Sequence, residues 1–183
     1  MNRLSLVIAL SLTGTAVAAQ ASVLVVGGGL AQSCYQAAEA RDSSWSALND
    51  CNRALTEGMI TPEDRVATHV NRGILHFHRS AVSHAAADFD RALQLDPREP
   101  DAWLNKAVLT VKHGNAVEAL PMIDKAIVLK TRRPALAYYL RGIIQEDRGD
   151  LRAAYYDFRK AQSLEPKWRE PARELARFQV RRL

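Results

Sequence analysis

The chain has 183 residues, enough for one domain with a packed core, and 48% of them are hydrophobic. Twenty-five lysines and arginines against 20 acids leave a formal charge of +5. That mild excess does not call for nucleic acid, and a basic stripe on such a chain is usually a solvated face.

Taken in order, the chain begins with the short basic stretch Met1-Asn2-Arg3. Leu4 to Leu12 is an apolar run broken only by serine. Ala16-Val17-Ala18 and Ala19-Gln20-Ala21 both offer the small–x–small pattern of a signal-peptidase site, and cleavage after Ala21 is the preferred expectation. The apolar run is too short to span a bilayer comfortably, and no cysteine near it could carry a lipid. Residues 1–21 therefore read as a cleaved export signal, and the mature chain is expected in the bacterial periplasm without membrane insertion. Residues 22–30 read as an extended arm, Ser22-Val23-Leu24-Val25-Val26 followed by three glycines and Leu30. Such a glycine run holds phosphate only when a strand and a helix flank it in a parallel sheet, and nothing downstream supplies a sheet.

From Val66 to Trp168 the sequence repeats itself every 34 residues, in Val66–Glu99, Pro100–Arg133 and Ala135–Trp168, with Pro134 as a single extra residue. The eighth position holds Gly73, Ala107 and Gly142; the twentieth, Ala85, Ala119 and Ala154. The twenty-fourth holds Phe89, Ile123 and Phe158; the twenty-seventh, Ala92, Ala126 and Ala161. Apolar residues inside each copy recur at three- and four-residue steps, which is helical spacing. Pro97 and Pro166 follow the second helix and cannot continue it. Each hairpin leaves an apolar face uncovered, so the copies must stack. Small residues at positions eight and twenty are expected to let paired helices approach, with the residue at twenty-four filling the wedge beside them.

This pattern resembles the tetratricopeptide repeat. The likeness is carried also by Trp103 and Tyr138 at the fourth position, by Gly114-Asn115 and Gly149-Asp150 at the hairpin turns, and by Leu95-Asp96-Pro97 and Leu164-Glu165-Pro166 at the ends. Departures are His69 at the first copy's fourth position, Ser80-Ala81 at its turn, Lys106 and Ala107 in the second copy, Arg141 in the third, and Thr131 where proline is usual. The resemblance implies an all-α solenoid of stacked antiparallel helix pairs, with first copy 62–99, second 100–133 and third 134–168.

Residues 31–61 read in this register as a degenerate, shortened hairpin. With Ala47 at the twentieth position, Cys51 falls at the twenty-fourth and Cys34 at the seventh, offsets that face each other across the family's antiparallel pair. In an oxidising compartment this arrangement favours a disulfide. Reduced core residues and a redox-active pair stay open as alternatives, although a catalytic pair usually has C-x-x-C spacing. Thr61-Pro62-Glu63-Asp64 carries a capping residue, a first-turn proline and acids that suit a helix start. Residues 169–183 are expected to form a capping helix, with Ala172, Leu175, Ala176 and Phe178 covering the last hairpin and Arg169, Arg173, Arg177 and Arg181 on another face.

By the family's geometry, positions five, nine and twelve of each first helix line a concave groove. These are Val70, Ile74 and Phe77, then Leu104, Val108 and Val111, then Tyr139, Ile143 and Glu146. Asn71 and Asn105 sit beside them at the sixth positions. The lining is apolar, and the basic residues of a carboxylate clamp are absent. Two functional readings follow. One is a non-catalytic periplasmic scaffold that holds an apolar peptide or helix of a protein partner in this groove. The other is a structural, self-associating module whose groove is filled by its own arm, around Val23 to Val26, or by another subunit, so that a homo-oligomer is possible.

Catalysis and cofactors find little support. There is no G-x-S-x-G and no H-E-x-x-H, and Asp88, Asp90, Asp124 and Asp157 lie on second helices at positions expected to face solvent. His69 and His76 share a helix face two turns apart and are expected to pack between helices, while His78, His84 and His113 complete no ligand set, so no metal is expected.

Overall fold

A computed structural model describes residues 21–26 and 28–178. The expected export signal lies outside these residues except for Ala21, as does the end of the expected capping helix, 179–183. Among the described residues there are nine α-helices and no strands. They are α1 (Leu30–Ala40), α2 (Trp45–Thr56), α3 (Pro62–His78), α4 (Val82–Leu95), α5 (Pro100–Lys112), α6 (Ala116–Val128), α7 (Pro134–Asp147), α8 (Leu151–Leu164) and α9 (Arg169–Leu175). Consecutive helices pair as α1 with α2, α3 with α4, α5 with α6 and α7 with α8, and each pair stacks on the next.

Local sequence sets the ends. The Thr61 hydroxyl accepts the Asp64 N–H at the start of α3, with Pro62 in the first turn. Ser44 accepts from Ala47 at α2, and Asp150 from Ala153 at α8. The turn inside each copy needs a left-handed residue. Gly114 and Gly149 supply it at φ 87° and 84°, whereas the first copy uses Ser80 at φ 58°, a conformation that costs a residue with a Cβ. Helix α9 stops at Leu175, short of the expected length. Two three-residue bonds, Arg177 N–H to Glu174 and Phe178 N–H to Leu175, tighten the chain there. The turn carries the Phe178 ring onto Tyr155 and Phe158.

The close approach inside each hairpin has a definite partner. A Cβ added at Gly73 would sit 2.6 Å from the Phe89 ring, and one at Gly142 would sit 2.7 Å from the Phe158 ring. Glycine therefore makes room for the aromatic at position twenty-four, more directly than for the alanine at position twenty. The second copy adjusts both members, with Ala107 and Ile123, and both are fully buried. One extra methyl on the first helix is matched by a smaller residue on the second.

Polar pairs join the copies. The residue at position seven reaches position twenty-five of the preceding unit each time: Arg72 Nη1 donates to Asn52 at 2.8 Å, Lys106 Nζ to Asp90, and Arg141 Nη1 to Asp124 at 2.7 Å. Within copies one and three the same arginines form two-pronged bonds with Asp88 and Asp157. Asp88 and Asp157 are buried, contrary to the expectation that these acids face solvent, because each arginine compensates its carboxylate. Asp90 and Asp124 are more open and carry the links between copies.

Cys34 and Cys51 are joined by a disulfide that staples α1 to α2, with Cα atoms 4.9 Å apart. Both are fully buried. Closing this loop constrains the unfolded chain by about 3 kcal/mol.

Three stability measurements check this packing. Gly73→Ala is expected to lower stability in urea by about 1–3 kcal/mol despite alanine's better helix propensity. Adding Phe89→Ile should recover part of that loss, because it copies the Ala107–Ile123 pairing. Ser80→Gly should raise stability by about 1 kcal/mol, since glycine carries no Cβ penalty at positive φ.

Candidate functional site

The first helices α3 and α5 present Asn71 and Asn105 one repeat apart, and both side chains are fully buried. What covers them is the arm. Asn71 accepts the Val23 N–H at 2.9 Å and donates its amide to the Val23 carbonyl at 2.8 Å. Asn105 does the same for Ala21, at 3.3 and 2.9 Å. Each asparagine thus spends both ends of its amide on the backbone of one arm residue, and the two bound residues are two apart. The Val26 N–H donates to Asp64 at 2.9 Å, and Arg132 Nη1 donates to the Ser22 carbonyl at 3.4 Å.

Side chains of the arm divide by depth. Ala21, Val23 and Val25 are 1%, 4% and 3% exposed, whereas Leu24 and Val26 are 50% and 90% exposed. This is the alternation of an extended chain with one face against a surface. Ser22 is also buried. Of the residues expected to line the groove, Val70, Ile74, Phe77, Leu104 and Val108 are buried, and Val111 is half-buried. Val23 and Val25 belong to the same core as these residues.

The third copy differs. Its sixth position is Leu140, so no third amide follows Asn71 and Asn105. Tyr139 and Ile143 are half-buried. The Tyr139 ring packs 4.8 Å from Trp168, and its hydroxyl donates to Glu174 of α9 at 3.4 Å. Burial, and then the charge of Glu174, push the Tyr139 pKa up to about 12. Arg177 bonds both Glu146 and Glu174, so the C-terminal helix is tied across this end.

A polar junction sits beside the arm. Asp101 on α5 is fully buried; it accepts from the Thr131 hydroxyl and from the Arg132 N–H at 3.0 Å. Its second oxygen has no hydrogen bond and lies 3.7 Å from Arg132 Nε. Burial raises its pKa, against the bonds from Thr131 and Arg132. The departure at Thr131 thereby gains a reason, since a proline at that position has no hydroxyl to give.

The first copy also gathers histidines. His69 Nδ1 lies 2.9 Å from Asp88 Oδ1, His76 Nε2 lies 3.9 Å from Asp88 Oδ2, and the His76 and His84 rings are 5.0 Å apart. His69 and His76 are thus held between helices, as expected, but on a carboxylate rather than in an apolar contact. Burial works to raise the Asp88 pKa, and the bonds and charges of His69 and Arg72 outweigh it, leaving the pKa below the ordinary value. Burial lowers His76 and His78 below the ordinary histidine value.

Sequence reasoning placed Asn71 and Asn105 in the groove but did not find their backbone ligands. It missed Asp64, Asp101 and Arg132. The spacing of sixteen residues from Arg72 to Asp88 and from Arg141 to Asp157 was a readable signal for the buried pairs.

The histidine shifts give a signed pH dependence. A group whose folded pKa is depressed contributes stability that is complete above its unfolded pKa and is lost as pH falls through the folded one. For His76 and His78 the loss begins near pH 6.5 and grows below it. Urea midpoints are therefore expected to fall between pH 7 and pH 5, and His76→Gln should flatten that slope.

No protein-family model matches the sequence, and no curated protein matches it. Solved structures do. The chain superposes on MamA 41-end from Desulfovibrio magneticus RS-1 with a TM-score of 0.62 and 22% identity, covering 81% of this chain and 82% of that one. A tetratricopeptide repeat protein from Parabacteroides merdae ATCC 43184 gives 0.63 and 20%, over 80% of this chain and 55% of that one. MamA AMB-1 gives 0.61 and 16%, over 80% and 77%. With repeats in phase, helix pairs stacked in order and these likenesses, the chain has the all-α solenoid fold of tetratricopeptide repeat proteins.

Proposed function

We propose that this protein is a non-catalytic, exported protein-interaction scaffold that holds an extended apolar peptide in its groove, and that its own N-terminal arm is the resident occupant. The observation that carries this is the pair of buried amides, Asn71 and Asn105, each closed on one arm residue through both N–H and C=O. Such a site binds a backbone and offers no reacting group. It favours the reading in which the arm fills the groove over one in which the groove stands open for a partner. Interaction without chemistry also agrees with the solenoid architecture, although a fold alone names no function. Export is supported by the signal-like leader, with cleavage after Ala18 rather than Ala21 so that the residue bonded by Asn105 stays on the mature chain, and by the Cys34–Cys51 disulfide, which persists in oxidising compartments. No helix among the described residues is long and apolar enough to cross a membrane.

The test is hydrogen exchange at the arm amides. The Val23 N–H should exchange slowly in the native chain, and Asn71→Ala should both release it and lower stability by about 1–3 kcal/mol, because two buried backbone groups lose their partner. Arm amides that exchange at the rate of an unstructured peptide would sink the reading.

A further inference from the structure

The docked arm also specifies what else the groove would take. We propose that the arm stands in for an extended segment of a partner protein, with small residues at its first two positions and β-branched residues at its third and fifth. The proposal rests on the reading of the arm as occupant of the groove.

Each element of the pattern has a physical source. The two asparagines bond only to main-chain N–H and C=O, at Ala21 and Val23, so they accept any chain that is extended over three residues. They contribute affinity without reading sequence. Sequence is read by depth. Ala21 and Ser22 are buried and small, at the end where Asn105 and Arg132 close on the backbone. Val23 and Val25 are buried and β-branched, within the same core as Val70, Ile74 and Leu104. The fourth and sixth side chains, Leu24 and Val26, face outward and are free to vary. A charge at the third or fifth position would be buried in the apolar core, which disfavours it. This is peptide recognition by an extended backbone with alternate side-chain pockets.

The arm is built to be replaceable. It joins the stapled α1 through consecutive glycines, and around Gly28 and Gly29 there is open space where a Cβ would be. No side chain of the linker ties it to the body. Every bond that holds the arm's first three residues would be reproduced by another chain in the same register. The arm and the partner segment therefore compete, and the arm acts as an internal inhibitor whose removal exposes the site.

The experiment uses the full chain with Val23→Asp and Val25→Asp, which should undock the arm, and the labelled peptide acetyl-Ala-Ser-Val-Leu-Val-Val-amide. The peptide should bind this variant at least tenfold more tightly than it binds the native chain. N-methylation at the peptide's third residue, which removes the hydrogen that Asn71 accepts, should weaken binding at least tenfold, and so should Asn71→Ala in the same background. In case the double variant does not fold, the native chain gives a second measurement: excess peptide should abolish exchange protection of the Val23 amide. Equal binding of the peptide and its N-methyl analogue overturns the proposal, as does no binding by either with the arm amides still protected. Native chains that pair into dimers and refuse the peptide would assign the groove to a second copy's arm and overturn it too. Protection of the Val23 amide in the native chain tests the underlying reading separately: if it stands while the peptide fails, the groove serves its own arm alone.

Discussion

The structure depends on how closely two helices in one hairpin can lie. At Gly73 and Gly142 the missing side chain is occupied by the ring of Phe89 or Phe158, at a distance that a methyl group would forbid. That contact sets the wedge shape of the pair, and the wedge sets how the next pair stacks. The second copy reaches the same end by a different division of volume, Ala107 against Ile123. Interiors are packed too densely to absorb a methyl without compensation, so the two positions must be read jointly. Only then do the first helices align well enough for Asn71 and Asn105 to grip one straight segment of chain.

Electrostatics follow the same repeat. Arg72 and Arg141 each serve two purposes, neutralising a buried aspartate in their own copy and reaching a polar residue in the copy before. Burial works to raise the Asp88 pKa, and His69 and the arginine reverse that tendency. Lys106 cannot make the two-pronged bond, and its copy carries Met122 where the others have aspartate. It keeps only the link to the preceding copy, through Asp90.

Much of this could be read from residues in order. The phase of the copies, the facing of Cys34 and Cys51, and the burial of Val70, Ile74 and Leu104 all follow from one period. What escaped was of two kinds. Asp88 and Asp157 sit where a repeat usually meets solvent, and only the cation sixteen residues earlier explains their burial. The arm was named as one of two occupants of the groove, but its bonds escaped in another way. Val23 and Val25 advertise an extended apolar strip, but nothing local to residues 21–26 states which surface they meet. That is decided by amides more than forty residues away, whose partners are backbone groups common to every residue. Ser80 and Thr131 look like blemishes in the repeat; one bears a strained turn and the other caps a buried carboxylate.

The three-glycine tether has a further consequence. Three residues of extended chain reach about 10 Å at most, so a released arm stays close to the groove it left. A connection this short holds its cargo at an effective concentration on the order of millimolar. The disulfide fixes the other end of the leash by pinning α1 to α2. Any rival must therefore outcompete a locally concentrated neighbour, which sets a threshold that weak, passing contacts do not cross.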